Sequence, residues 1–474
     1  MNSKYIKGAV LLGVILSVGL SSCNITKKYK APEIDTLDLY RDQYSEDTTT
    51  IANIPWREYF KDPVLQSLID EGLNNNFDML ITAQRVYQAE ASLGMAKAAY
   101  FPTVALTGNV TQNRTSNRDP LTNEMKGEKV LGYHSETYFL GIAATWEADI
   151  WGKLTRQKKA KYAQLLNSYA GRNLVQTSLI SNIATTYYTL LSLDEQLAVT
   201  KETIALLEEN VTTMQALFDA GNTNSAGLEQ TKAMLYSTQV SVPALESQIK
   251  QLENAISMML GRKPGPITRL SISEQTVPQE MKIGVPVQML AKRPDVQQAE
   301  LTFRASFELT QAARASFYPS ITLDAGSMVG YGWASLSSFF DPGHLAANII
   351  GSITQPIFAR KQLTGNLKIA KAEQEASLLS FKKAVLSASQ EVSDILYTYE
   401  SSLTKNDIRN KQVEASKKAV GDTQELLKYG EATYIEVLTA QQNLLQAQLG
   451  QVNDKLEQLQ ASVNLYRALG GGTE

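Results

Sequence analysis

The chain has 474 residues, 43% of them hydrophobic and 20% charged, with a formal net charge of -3. That length can bury a sizeable core and ordinarily divides into roughly two to four domains. Near-neutral charge argues against nucleic acid as a partner, because phosphate binding needs a basic face.

The chain begins with Lys4 and Lys7 ahead of an apolar run from Gly8 to Leu20. This run is too short to span a bilayer and the right length for a signal peptide, so residues 1–22 are expected to be removed. The sole cysteine, Cys23, closes the segment, and "LSSC" resembles a bacterial lipobox in which that thiol takes up diacylglycerol. Asn24 follows it instead of the aspartate tied to inner-membrane retention, which points to outer-membrane delivery. With no second thiol, the mature chain forms no internal disulfide. Residues 23–61 read as an N-terminal lipidated segment.

A helical pattern ends near Tyr100, and Pro102 follows. Beyond it Val104, Leu106, Gly108 and Val110 alternate with Thr103, Thr107, Asn109 and Thr111, which predicts a strand. A polar stretch, 112–132, reads as an exposed loop. Tyr138, Leu140, Ile142, Ala144, Trp146, Ala148 and Ile150 then mark a second strand. From Lys153 to Ala220 there is no proline and one glycine, Gly171, so a helix of roughly 100 Å is possible. Its Leu193, Leu197, Ile204, Leu207, Val211, Met214 and Phe218 keep heptad-like spacing for packing on other helices. Gly221 suits the left-handed position that ends a helix, and a second long helix follows.

The same order then recurs. Pro319 lies 217 residues after Pro102, and Gly430 lies 209 after Gly221. Ile321, Leu323, Ala325, Val329, Tyr331 and Trp333 alternate like the first strand, and a weaker fourth strand runs through 345–354. The stretch 333–344 reads as a second exposed loop. Lys361 to Tyr429 is free of proline, and Leu438, Leu445, Leu449, Val452, Leu456, Leu459, Val463 and Tyr466 form another seam. The expected organisation is a first repeat at 62–262, a Pro/Gly-rich linker at 263–278, and a second repeat with its tail at 279–474.

Strands of this length, apolar on one face and polar or small on the other, carry the signature of a transmembrane β-barrel. Four cannot close one, and open edges are intolerable in lipid. The barrel must therefore be shared: two chains give eight strands, filled by side chains, and three give twelve, with room for a passage. Pro102 and Pro319, with Pro356 after the fourth strand, mark the joints between helices outside the membrane and strands inside it.

No catalytic motif, metal cluster or cofactor site stands out. His134 and His344 are far apart in sequence and read as exposed loop residues, and "ALGGGTE" reads as a helix cap and tail.

The stretches "YKAPEID", "WREYFKDPVLQSLIDEGLNNNFDM", "EADIWGK", "KRPDVQQAE", "ARASFYPSI" and "NLYRALGGG" together resemble the outer membrane efflux proteins of the TolC type, in their lipoprotein branch. The resemblance implies a mainly α protein with transmembrane β strands, a homotrimer whose twelve-stranded β-barrel continues into a twelve-helix barrel. It implies docking to a periplasmic adaptor and an inner-membrane pump, usually proton-driven. It also makes the helix hairpins the periplasmic tip, so that Gly221, Asn222 and Thr223, with Gly430, Glu431, Ala432 and Thr433, become adaptor-contact candidates. Glu436 falls where the family often carries a lumen-facing carboxylate. Thr439, one turn on, replaces a common aspartate, and Ala432 replaces an arginine tie. A type I protein-secretion duct, driven by an ATP-dependent exporter, has the same architecture. A pore-free coiled-coil lipoprotein would not carry the alternating strands.

Overall fold

The computed structural model describes residues 26–33, 50–116, 124, 131–221, 223–276, 292–333 and 336–473. The signal segment, Cys23 and Asn222 lie outside the described residues.

Helices α1 (Pro63–Asn75) and α2 (Phe77–Ala98) lead into strands β1 (Thr103–Ser116) and β2 (Leu131–Ala148), then helices α3 (Lys153–Asp219) and α4 (Ser225–Met259). Helix α5 (Pro294–Ala315) and strand β3 (Ser320–Trp333) open the second half. Strands β4 (Leu345–Ala347) and β5 (Ile350–Thr354) and helices α6 (Gln362–Lys428) and α7 (Tyr434–Ala468) complete it. The halves match in length: α2 and α5 have 22 residues each, β1 and β3 have 14, α3 and α6 have 67, and α4 and α7 have 35. The fold is an internal duplication.

The chain forms two compact units, each drawing on both halves. One takes in the described residues up to Pro32 with Ala89–Leu165 and Leu301–Leu378. It holds the antiparallel sheet, in which β2 lies between β1 and β3 and both β4 and β5 pair with the far side of β3. The register aligns the apolar positions across strands: Val104 faces Ala144, Leu106 faces Ile142 and Gly108 faces Leu140. Leu323 in turn faces Trp146, and Ile321 faces both Ala148 and Ile353. Val104, Leu106, Leu140, Ile142, Leu323 and Ile353 are all exposed. They make one continuous apolar face, the arrangement a lipid-facing strand set requires. Thr103, Thr107, Thr145, Thr322 and Asp324 alternate onto the other face.

Between Ile142 and Ala144 of β2, β3 advances from Val329 to Ala325, a bulge of two extra residues. An even insertion leaves both faces as they were. Beyond it a Cβ on Gly330 would lie 2.6 Å from the Cα of Gly141 and 2.9 Å from the Phe139 ring, so only glycine fits.

Three sequence expectations need correction here. The loop expected at 112–132 is shorter, because β1 continues to Ser116 and β2 begins at Leu131. The fourth strand is two pieces, β4 and β5, which pair with β3 on either side of its bulge. The backbone of His134 lies in β2 opposite Arg114 rather than in a loop. His344, at the end of a 3-10 turn, stacks on Trp333 at 3.8 Å and has its Nδ1 2.9 Å from the Ser338 carbonyl.

The second unit, Glu33–Gln88 where described with Leu166–Glu300 and Leu379–Glu474, holds the main core. Leu65, Ile69, Ile183, Tyr187 and Tyr466 are fully buried there. Tyr59 stacks on Tyr466 at 4.2 Å and hydrogen-bonds Ser462, while the Tyr466 hydroxyl donates to the Ile54 carbonyl. Burial pushes the hydroxyls of Tyr59 and Tyr188 above their usual range. The apolar seams pack in large part as their spacing predicts, with Leu193, Leu207, Met214, Leu438, Val452, Leu459 and Val463 buried, whereas Phe218 at the end of the first seam is exposed. The C-terminal glycines are part of this packing. Gly470 turns left-handed at φ +91 past α7, and the Gly472 carbonyl accepts from Gln176 at 3.0 Å.

Candidate functional site

Two places concentrate the sequence-predicted residues: the joints between helices and strands, and the helix-hairpin tips.

Helix α2 ends at Ala98, Ala99 and Tyr100 make a turn, and β1 begins at Thr103 just past Pro102. Helix α5 ends at Ala315 and β3 begins at Ser320, past Pro319. A proline without an N–H can enter a strand but cannot extend a helix, so each helix stops short of it. Tryptophans fasten both turns. The Trp146 indole N–H donates to the Tyr100 carbonyl at 2.8 Å, and that of Trp151 to the Pro319 carbonyl at 2.7 Å. Trp151 also stacks on Tyr318.

The return from β2 to α3 is equally bound. Asp149 accepts from the backbone N–H groups of Leu154 and Thr155 at 2.8 Å and from the Thr155 hydroxyl at 2.6 Å. Those donors are the unsatisfied first amides of α3, and a carboxylate there also meets the positive end of the helix dipole. Gly152, at φ +76, supplies the turn. In the first turn of α3, Arg156 is buried and donates to Glu308 on α5 at 2.9 Å and to the Thr26 hydroxyl at 2.8 Å. Lys27 N–H donates to Gln311, and Tyr29 lies edge-on to Phe307, so the segment after the expected lipid anchor is laid against α5. Nothing in the sequence pattern signals this clamp.

The third expected joint, Pro356, lies after β5. There Gln355 donates to the Phe317 carbonyl at 3.2 Å, Ile357 and Phe358 are exposed, and Arg360 and Lys361 both take positive φ before α6 begins.

At the tips Gly221 and Gly430 take φ +72 and +74, with open space where a Cβ would stand. Past Gly221, Thr223 is followed by Asn224, whose side chain accepts from Gly227 N–H at 3.0 Å as the cap of α4. Past Gly430 come Glu431, Ala432 and Thr433, the last being the N-cap of α7. Glu436 completes a capping box: one carboxylate oxygen accepts from the Thr433 amide at 2.6 Å and from its hydroxyl at 3.1 Å. The sequence "TYIE" carries that signature, which could have been read directly. Glu436 and Thr439 are exposed and line one groove with Gln412, Ser416 and Asn443. The hairpins are held together by a small apolar cluster of Leu207, Leu235 and Leu438, and by Asn210 donating to Gln441 at 2.8 Å.

Among the described residues no helix is long and apolar enough to cross a membrane, which leaves the apolar sheet face as the surface suited to lipid. The outer membrane efflux protein family matches residues 68–262 and 285–471. The chain belongs to that family. It is 28% identical to the probable outer membrane lipoprotein SilC of Salmonella typhimurium, with 93% of each chain covered. It is 26% identical to the cation efflux system protein CusC of Escherichia coli O6:H1, with 98% of each covered. It superposes on the open-state MtrE outer membrane channel of Neisseria gonorrhoeae with a TM-score of 0.84 at 25% identity, covering 95% of this chain and 99% of the other. As an outer membrane efflux protein it is an exit duct located in the outer membrane, and the sheet and long helices described above are its two parts.

Proposed function

We propose that this chain is the passive outer-membrane duct of a tripartite efflux system, working as a homotrimer with a periplasmic adaptor and an inner-membrane proton-driven pump. The observation that carries this reading is the open sheet: four strand positions, one exposed apolar face, and, among the described residues, unpaired edges at β1 and at β4 and β5. In lipid such a sheet is stable only when further copies close it, and three copies give a twelve-stranded barrel with a lumen. The polar face with Thr103, Thr107, Thr145 and Asp324 then lines the passage.

On this reading Cys23 carries the lipid anchor, and the organisation is a first repeat at 62–262, a linker at 263–278 and a second repeat at 279–474. Pro102, Pro319 and Pro356 mark the membrane boundary. Gly221, Asn222, Thr223, Gly430, Glu431, Ala432 and Thr433 face the adaptor. Three Glu436 carboxylates, each with one oxygen held by its own capping box, form an acidic ring behind the tip, with Thr439 one turn further on. SilC and CusC are named for an outer membrane lipoprotein and a cation efflux system. Selectivity in the proposed assembly lies with the pump, and the duct itself performs no chemistry.

The test is the protein mass of the detergent-extracted particle, by light scattering corrected for bound detergent. Three chains per particle are expected, and a stable single chain would remove the duct. In planar bilayers the Glu436→Ala channel is expected to lose cation preference; an unchanged reversal potential in a salt gradient would eliminate the ring.

A further inference from the structure

The segment clamped at Thr26 carries a run of cations beside the joints. Lys27, Lys28 and Lys30 are exposed, while the backbone that bears them is tied down. Thr26 is buried under Arg156, Lys27 N–H donates to Gln311 at 3.1 Å, and Tyr29 rests on Phe303 and Phe307. Gln311 stands four residues before the end of α5, about 6 Å at helical rise, so Lys27 lies close to the sheet and the segment runs away from it.

Helix α3 adds to this patch. Lys159 is exposed three residues past Arg156, hence its neighbour on the helix surface, and about 9 Å from the start of α3. The duplication repeats it: a step of 209 residues carries Lys159 to Lys368, which is exposed and equally far into α6. Three carboxylates near the joints are already engaged, Glu147 with Lys153, Glu308 with Arg156, and Asp149 with the first amides of α3. Among the described residues no ion pair takes up Lys27, Lys28, Lys159 or Lys368. The patch is therefore a net positive surface.

Two observations place that surface at a bilayer. Cys23 is three residues from Thr26, which is at most about 11 Å of chain. A lipidated thiol there holds the clamp within that distance of the acyl chains, and a headgroup layer is roughly 5–8 Å thick. Phe101 and Tyr318, exposed at the two turns from helix to strand, mark the same level, as aromatic residues do at membrane interfaces.

We propose that Lys27, Lys28, Lys159 and Lys368 bind anionic phospholipid headgroups of the periplasm-facing leaflet, a second anchor beside the lipid on Cys23. This rests on the duct and lipid-anchor readings above. Each lysine near an anionic surface raises partition about fivefold. Acyl chains on Cys23 hold only the end of one segment, whereas cations on that segment, α3 and α6 hold the joints themselves at headgroup level. A cell-wall glycan is the weaker candidate, because these cations lie within about two helical turns of the sheet.

The test uses the full-length lipidated protein in phosphatidylcholine vesicles containing increasing brominated phosphatidylglycerol. Trp146 and Trp151, at the joints, report neighbouring bromine by quenching. Phosphatidylglycerol is expected to be preferred over phosphatidylcholine by at least about fivefold. The preference should vanish in 1 M salt, where screening acts within about 3 Å. It should also vanish in the combined variant Lys27→Gln, Lys28→Gln, Lys159→Gln and Lys368→Gln, and survive when the same four lysines become arginine. Lys250→Gln, Lys263→Gln, Lys417→Gln and Lys418→Gln together change net charge equally in the second unit and should leave it intact. Equal loss in that control set overturns the patch, as does the absence of preference in a particle of three-chain mass, which leaves the duct standing. Retained lipid preference in the first variant, with lost binding to isolated cell-wall sacculi, would assign the lysines to the glycan instead. A single-chain mass removes the duct itself.

Discussion

The two returns from sheet to helix are counterparts in the duplication and are built in opposite ways. After β2, Asp149 caps α3, Trp151 is bonded and stacked to the Pro319 turn, and Arg156 is buried against Glu308. After β5, the same distances along the chain bring Phe358 to the place of Asp149, Arg360 to that of Trp151 and Gly365 to that of Arg156. Phe358 is exposed, and a Cβ on Gly365 would meet nothing within 4 Å. The first return lies between two halves of one chain and can be saturated by residues already present. The second lies at the edge of the sheet, and its surfaces are what the next copy must cover. An interface left open in the protomer is thus recognisable by comparison with its completed internal copy.

The largest expected effect breaks the completed joint. Arg156→Leu leaves the Glu308 carboxylate buried without its cation, with both side chains under a tenth exposed. Removing one partner of a buried pair costs about 3–5 kcal/mol. The extracted protein should show a markedly lower unfolding temperature, or fail to reach the membrane as a trimer. Arg156→Leu combined with Glu308→Leu should recover most of that loss, because two matched apolar groups carry no buried charge. Equal damage in the single and double variants would show that the pair is not what holds α3 to α5.

Asp149→Ala comes next. It removes three acceptor contacts from the start of α3, and losing a helix cap typically costs about 1–2 kcal/mol. Hydrogen exchange should speed up at the amides of Leu154 and Thr155 and leave α6 unchanged. A similar change at the start of α6 would mean the two joints are coupled, and the contrast between them would weaken.

A third contrast runs between the turns that open α2 and α5. In the first half the neutral Asn76 caps α2 through Asp78 N–H at 2.8 Å. In the second, Arg293 stands at the matching place and binds Asp295 and Glu391 at 2.7 Å and the Ala468 carbonyl at 2.8 Å. Burial works against ionisation of Asp295, but the hydrogen bonds and charge of Arg293 outweigh it and hold its carboxyl below the usual range. A depressed folded pKa gives stability that is present above the unfolded value of about 3.9 and is lost as pH falls through the folded one. Acid unfolding below about pH 4 should therefore be blunted in Asp295→Asn, measured as a flatter loss of unfolding temperature with falling pH.

Much of this was legible in the sequence. The prolines at 102 and 319, the spacing of their repeats and the uninterrupted runs after Lys153 and Lys361 fix helix and strand order, because backbone chemistry and periodicity are local. The alternation from Val104 to Val110 also predicted which side chains share a face, and the register agrees. The bulge opposite Ile142 and the division of the fourth strand were not legible, since they depend on which residues of β3 stand beside which of its neighbours. The Arg156–Glu308–Thr26 clamp joins residues more than a hundred positions apart, and no spacing rule links them. Glu436 is the instructive case: the resemblance marked it for a lumen ring, while the local pattern from Thr433 already specified a capping box.

The smallest expected effect lies at the open joint. Arg360 and Lys361 take φ +47 and +63, a region that strains any residue with a Cβ, while the first half places Gly152 opposite Lys361 in the count along the chain. Each left-handed non-glycine costs roughly 1–2 kcal/mol, partly offset in a glycine replacement by the greater freedom of the unfolded chain. Arg360→Gly and Lys361→Gly should thus each stabilise the joint by roughly 0.5–1 kcal/mol. That gain appears as a higher unfolding temperature of the trimer if the strain belongs to the chain alone. Should Lys361→Gly instead lower that temperature, the two side chains are held in place by contacts to the next copy. The sign of that change tells whether the second joint is merely unfinished or is shaped in advance for its partner.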